Sequence, residues 1–374
     1  MKLKIQKQDI VEVLSKVQAI AGRKTNITIT TAVLIRTTEN GINIISTDLE
    51  TGFEGFYPAV VEKEGAVAIN ARKLFEIVRD FPNEELHINE LENNWIEIRD
   101  DSNVEYRMVG MNSDDFPSIP SVEDIVCFDL DSAAFKKMIE QTVFISGSSE
   151  EKRAHINGVY LEKLDKEGEK KIIRLVSTDG SRLTKADYEC DGNFVLPGET
   201  GIIISKKGLN DVGKFLEQEG NIKIGYNKSN FVLKKKNETI IMRLLEGNFP
   251  EYKDIINRKE AFLIKVERLL FLMLLKRMSI FTSESYKGVI FSFKKGKLIV
   301  SSTNPELGES KEEMKVDFDR DPFEIAFNVR YFIETLNVID DDKVSIRLID
   351  SESPCLIEGD KNKNFLSVIM PMRI

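Results

Sequence analysis

Few residues in this chain could act on a substrate or hold a metal. Carboxylates cluster in DFDRD (317–321) and DDD (340–342). Converging carboxylates are what a divalent cation needs to activate water in a metal-dependent nuclease. Both clusters flank strand or helix ends and recur nowhere else, so solvated turns are the better reading. The three cysteines, Cys127, Cys190 and Cys355, stand far apart with no CxxC spacing. Small buried apolar residues are expected there. Only two histidines, His87 and His155, occur, which weakens a zinc reading. No GxxxxGK[ST] phosphate loop, HExxH helix, or Ser/His or Cys/His pair stands out. The expectation is no enzyme, no cofactor and no metal, which leaves recognition as the chemistry to look for.

The elements that would position a recognition site are written three times. LVSTDGSRL (175–183) has a near copy, IISTDLETG (44–52), and a fainter one, IVSSTNPEL (299–307). Thr47 to Thr178 is 131 residues and Thr178 to Thr303 is 125, the size of a small domain rather than a solenoid repeat. Each copy of the phrase reads as a strand ending in a side-chain-capped turn. Each third of the chain opens with a strand and a helical pattern, carries a second helix after a capping residue, and closes with alternating strands. The helical windows are 7–20, 71–80, 131–142, 205–217, 265–277 and 328–337, with Asp131, Asn70, Ser205 and Asn328 as candidate caps. The window at 265–277 is apolar almost all round, so burial on more than one side is expected. Phe116-Pro117 and Phe249-Pro250 close the first two thirds. The reading is an α+β chain of three similar domains, 1–120, 121–250 and 251–374, each with two helices on antiparallel sheets.

The chain has 374 residues, 41% hydrophobic and 31% charged, with a formal charge of −9. That sign alone disfavours nucleic acid. Its distribution does not: the six helical windows hold 15 Lys and Arg against 10 Asp and Glu, so the remainder carries −14. The N-terminus MKLKIQKQDI has no apolar signal core, and the longest aliphatic run, LLFLMLL (269–275), is far short of a bilayer span of about 20 residues. A cytoplasmic location and no membrane partner are expected. Tandem copies must meet head to tail, and such contacts close into rings or run on as filaments.

The threefold repeat, TDLE (47–50), STDGSRL (177–183), STNPELGES (302–310) and the C-terminal VIMPMRI together resemble the beta sliding clamp of the bacterial replicative DNA polymerase III. The resemblance covers essentially the whole chain. It implies a clamp fold in three copies, a closed ring from a head-to-tail homodimer, and duplex DNA encircled without sequence preference. Helices would line the hole, and an acidic outside would discourage DNA from binding elsewhere. It also implies partners that carry clamp-binding peptides: the polymerase catalytic subunit, the clamp loader, other polymerases and repair proteins, all at the nucleoid or replisome.

By that resemblance a peptide cleft between the second and third domains would be formed by Ile156, Thr178, Gly180, Ser181, Arg182, Leu183, Pro250, Ile255, Asn328, Tyr331, Val368, Met370, Pro371, Met372, Arg373 and Ile374. Flexible methionines suit a pocket with several partners. Ser181 stands where relatives often carry histidine, and Asp254 where a basic residue is common, so preference at the polar rim is open. For DNA the resemblance points to Arg23, Lys24, Arg153 and His155, and helix position adds Lys73, Lys137, Lys206 and Lys207. For the dimer seam it points to Lys73 and Tyr106 on one side and Ile280 and Phe281 on the other.

Overall fold

A computed structural model describes residues 1–21, 27–102, 104–145, 153–165, 171–190, 201–257, 262–283 and 287–373. The helices are α1 (Lys7–Ala21), α2 (Ala71–Arg79), α3 (Ser132–Val143), α4 (Ala154–Asn157), α5 (Lys206–Phe215), α6 (Lys253–Ile256), α7 (Arg268–Met278) and α8 (Val329–Val338). All six expected helices are present, and α4 and α6 are short additions. Among the described residues, no helix is long and apolar enough to cross a membrane.

The helices form where apolar residues recur at three- and four-residue spacing. In α1 these are Ile10, Val13, Leu14, Val17 and Ile20, all buried. In α2 they are Ala71, Leu74 and Val78, and Asn70 caps the helix by accepting from the Lys73 N–H. Asn328 does the same for α8 through the Arg330 N–H at 3.1 Å. Each cap satisfies a backbone donor that the first helical turn leaves unpaired. Helix α7 departs from expectation. Phe271, Leu272, Leu274, Leu275 and Met278 are buried, but Leu269, Leu270 and Met273 lie on an exposed face. Its composition is apolar on every side, yet one stripe meets the core.

The chain forms two compact units, one made chiefly of residues 1–133 and 207–244, the other of residues 134–190 and 245–373. The central third contributes to both, because each unit is organised around one eight-stranded sheet. In the first unit that sheet runs Cys127–Asp131, Asn221–Tyr226, Asn230–Lys235, Glu238–Arg243, Thr51–Pro58, Gly41–Thr47, Ala32–Thr38 and Ala66–Asn70. In the second it runs Ile202–Ser205, Gly158–Asp165, Lys171–Thr178, Arg182–Cys190, Phe365–Ile369, Cys355–Gly359, Lys343–Leu348 and Phe262–Glu267.

The central joints of these sheets have the same register. Thr51 lies opposite Met242 and Gly55 opposite Glu238. Arg182 lies opposite Ile369 and Ala186 opposite Phe365, the equivalent positions 131 residues on for one strand and 127 for the other.

Each unit has a smaller sheet as well. The first has five strands, Val60–Lys63, Lys2–Gln6, Glu85–Glu90, Trp95–Arg99 and Glu105–Val109; the second has four, Gly308–Lys315, Lys297–Asn304, Gly288–Lys294 and Phe323–Asn328. Glu105–Val109 and Gly308–Lys315 are each paired on one side only among the described residues. The core of the second unit is rich in edge-on phenylalanines: Phe332 sits 5.0 Å from Phe327 and 6.2 Å from Phe271. Such pairs add about 1 kcal/mol beyond the area they bury.

Candidate functional site

The repeated phrase folds into the same turn in its first two copies. Thr47 Oγ1 donates to the Thr51 carbonyl at 3.0 Å and accepts from the Leu49 N–H, while Asp48 Oδ1 accepts from the N–H groups of Glu50 and Thr51. Thr178 Oγ1 donates to the Arg182 carbonyl at 2.7 Å and accepts from the Gly180 N–H, while Asp179 Oδ1 accepts from Ser181 and Arg182. The residue after the aspartate is left-handed in both, Leu49 at φ 75° and Gly180 at φ 89°. Glycine meets that conformation without a Cβ clash. The third copy keeps one of these bonds, with Asn304 Oδ1 accepting from the Glu306 N–H, then runs one residue longer to Gly308 at φ 113°.

Beyond the turn the second copy goes its own way. Arg182, buried to 5% exposure, reaches Asp179 at 2.9 Å and Glu334 of α8 at 2.6 Å, with its guanidinium 4.2 Å from the centre of the Tyr331 ring. A planar donor fork can serve two carboxylates and stack at once, which lysine cannot do. The C-terminal tail completes this corner. The Met370 N–H donates to the Ser181 carbonyl at 2.9 Å, and the Met372 N–H to Ala326 at 2.8 Å. The tail therefore runs from the strand beside Arg182 to the strand that precedes α8.

Lys206, at the start of α5, donates its ammonium to the Ile156 carbonyl and, at 3.4 Å, to the Thr178 carbonyl. Burial pushes its pKa down to about 8; Asp179 opposes the shift and Arg182 adds to it. An apolar floor adjoins this corner, made of Val176, Leu183, Tyr252, Ile256, Leu356, Leu366 and Val368, with Tyr160, Phe249 and Ile255 half-buried against it. Phe249 stacks on Tyr160 at 4.9 Å. Tyr252 donates to Glu162, and burial first, then that bond, raises the phenol above its ordinary range. Arg182 also lines a cavity of about 470 Å³, together with Asp179, Asn328, Tyr331, Ser279 and Lys287 among others. An apolar floor, an open polar corner and exposed Met370 and Met372 fit an extended peptide with a greasy anchor.

Most expected cleft residues meet here. Ile156, Thr178, Arg182, Leu183, Asn328 and Val368 are buried in the walls, Ile255, Tyr331 and Pro371 are half-buried, and Gly180, Ser181, Pro250, Met370, Met372 and Arg373 are exposed. Asp254 is exposed too, and Ile374 lies outside the described residues. Sequence reading missed Asp179, Glu334, Tyr160 and Phe249; only the Phe-Pro pair hinted at the last.

The residues expected to meet DNA fare unevenly. Arg23 and Lys24 lie outside the described residues. Lys206 is a correction: at 8% exposure, with its ammonium on two carbonyls, it is not placed to meet a phosphate. Lys73 pairs with Glu76, Lys137 with Asp340, and Lys207 with Asp48 and Glu50, at 2.8–3.2 Å. Arg153 is exposed, and His155 is half-buried with its ring 6.5 Å from Phe249.

For the seam, Tyr106 sits on the edge strand Glu105–Val109, partly exposed and edge-on to Phe81 at 5.4 Å. Ile280 is 69% exposed on the turn Ser279–Phe281, and Phe281 is half-buried. Val109 and Leu307 are also exposed, and neither was anticipated. The acidic clusters serve local structure. Asp340 holds Lys137, Asp341 accepts from the N–H groups of Lys361 and Asn362, and Asp319 pairs with Lys295.

Repeated α+β thirds that share strands of one sheet, with an apolar corner at one such joint, define a clamp-type subunit. Models of the DNA polymerase III beta subunit match along the chain: the N-terminal domain at residues 1–120, the central domain at 129–251 and the C-terminal domain at 253–373. The chain belongs to the DNA polymerase III beta subunit family, the beta sliding clamps. It is 29% identical over 374 residues to the beta sliding clamp of Chlamydia pneumoniae, covering 100% of this chain and 99% of that one. It is 26% identical over 383 residues to that of Vibrio cholerae, covering all of both. The crystal structure of the DNA polymerase sliding clamp from Caulobacter crescentus superimposes with a TM-score of 0.92 at 25% identity, over 100% of both chains. That from Bacillus subtilis gives 0.91 at 25%, over 100% of this chain and 99% of that one.

Proposed function

We propose that this protein is the processivity clamp of a bacterial replicative polymerase, a head-to-tail homodimer closed around duplex DNA. One observation carries the reading. Strand Thr51–Pro58 is paired by Glu238–Arg243, and its counterpart Arg182–Cys190 is paired in the same register by Phe365–Ile369. Among the described residues the third counterpart, Gly308–Lys315, ends its sheet, as does Glu105–Val109, the counterpart of the strands that do the pairing. The repeat supplies a complement for each free edge on a second copy, and exposed edges favour such pairing. Tyr106 and Val109 on one side and Ile280, Phe281 and Leu307 on the other add apolar surface to that seam.

The protein acts as a tether and not as a catalyst. An exposed ion pair such as Lys73–Glu76 is weak, so a passing phosphate exchanges for the carboxylate at little cost. Phosphate contacts carry no base information, which suits sliding. Partners dock through linear peptides on the corner formed by Arg182, Leu183, Tyr331, Val368 and Met370. These partners are the polymerase catalytic subunit, the clamp loader, and other polymerases and repair proteins. An affinity around micromolar, about −8 kcal/mol, fits exchange among them. The setting is the bacterial cytoplasm, at the replisome.

The test is residence on nicked circular DNA after loading by a clamp loader with ATP. Protein held by topology stays on the circle and runs off once the DNA is cut to a linear form. Equal loss from both forms overturns the ring and leaves a peptide scaffold.

A further inference from the structure

Away from the cleft, three potential ligands converge in the five-stranded sheet of the first unit. Glu85 and His87 stand two apart on strand Glu85–Glu90, so their side chains leave the same face. His87 is flanked by Lys4 on one neighbouring strand and Arg99 on the other, and Asp101 follows Arg99 by two residues. His87 is 7% exposed, and its Nε2 has no hydrogen-bond partner. A buried imidazole nitrogen without a partner is costly and calls for a ligand.

Glu85 Oε1 and Asp101 Oδ1 each lie 3.5 Å from that Nε2, and the three atoms fall within 4.8 Å of one another. Those separations are longer than a hydrogen bond, which runs to about 3.2 Å. The two distances from Nε2 match the edge of a ligand tetrahedron: bonds of about 2.1 Å to a central ion place ligand atoms roughly 3.4 Å apart.

We propose that Glu85, His87 and Asp101 form a three-ligand site for a divalent transition cation of the zinc class, with the fourth position open to water. One neutral imidazole and two carboxylates offset the charge of such an ion and suit its borderline softness. Magnesium and calcium are disfavoured, since they seek six or more oxygens and this set offers a nitrogen. Lys4, 3.9 Å from Glu85, works against the ion and keeps the site modest in affinity. Asp101 is exposed and gives the ion its way in. An ion there tethers the connection between strands Trp95–Arg99 and Glu105–Val109 to the middle of the sheet.

The test is titration of the full chain with zinc chloride by calorimetry, followed by the histidine ring resonances in NMR. With two histidines in the chain, the assignment is simple. The expected result is one zinc per chain, no heat with magnesium, movement of the His87 signals and a still His155. His87→Gln and Asp101→Asn each weaken binding by more than about tenfold with unchanged circular dichroism. Asp101→Asn, at an exposed position, carries the test if the histidine variant fails to fold. Zinc heats unaltered in the variants, or His87 signals unmoved at saturating zinc, overturn the site.

Discussion

The Arg182 guanidinium lies 4.2 Å over the Tyr331 ring while it bonds Glu334 three residues further along α8 at 2.6 Å. A turn of the central third is thereby fastened to a helix of the last third. Arg182→Ala leaves Asp179 with its backbone donors alone and Glu334 with Arg330 alone, and is expected to cost about 2 kcal/mol in urea unfolding. Arg182→Lys recovers only part of that, because it keeps the charge and loses the fork and the stacking face. Anisotropy of a labelled clamp-binding peptide should show Kd raised by about tenfold or more in Arg182→Ala. An unchanged Kd would remove this corner from the docking site.

The buried Lys206 gives the protein a pH signature. In the unfolded chain a lysine holds its proton to about pH 10.4, whereas in the folded chain Lys206 releases it near 8. Between those values the unfolded state binds more protons, so the contribution of Lys206 to unfolding free energy rises with pH. Tyr57, Tyr252 and Cys355, all raised by burial, pull the other way as the solution grows alkaline. The difference between wild type and Lys206→Met isolates the lysine. It should move in favour of wild type by up to about 1.4 kcal/mol per pH unit from 8 to 10. A flat difference would mean that Lys206 titrates as an ordinary surface lysine.

Removal of residues 370–374 deletes the Met370–Ser181 and Met372–Ala326 backbone bonds and leaves the strand Phe365–Ile369 whole. Two exposed bonds contribute about 1 kcal/mol each, so thermal unfolding should fall by only a few degrees. Peptide affinity should fall much further, about tenfold or more, since exposed Met370 and Met372 leave with the tail. Calorimetry of both properties on one sample separates a docking role from a structural one.

Ile280 is far enough into solvent that Ile280→Asp should change monomer stability by less than about 0.5 kcal/mol. At the proposed seam the same change buries a carboxylate against apolar neighbours. Sedimentation equilibrium should then report a dimer Kd raised by more than about tenfold. A dimer indifferent to it would place the seam elsewhere.

Much of this architecture can be read along the chain, and the exceptions share a cause. Ile10, Leu14 and Val17 mark α1 because helix packing has a local period, and Thr178-Asp179-Gly180 marks a turn because its bonds close within four residues. Lys206 could not be read that way. It sits beside Lys207 in sequence, and only contacts 50 and 28 residues distant, at Ile156 and Thr178, separate a buried lysine from a surface one. Leu269, Leu270 and Met273 fail for the converse reason: an apolar face needs a neighbour to be buried, and composition does not supply one. Met370 and Met372 were legible only as part of a resemblance, since their neighbours Ser181 and Ala326 are remote in the chain.

The matched joints at Thr51–Met242 and Arg182–Ile369 carry a kinetic consequence. Both are intramolecular, so a joint that breaks finds its other half at a tethered effective concentration of order millimolar, whatever the protein's abundance. The proposed joint between Gly308–Lys315 and a second copy's Glu105–Val109 would have no such memory of its partner. Dilution, competition or mechanical prying should therefore act at the two seams of the proposed dimer long before they act within a chain.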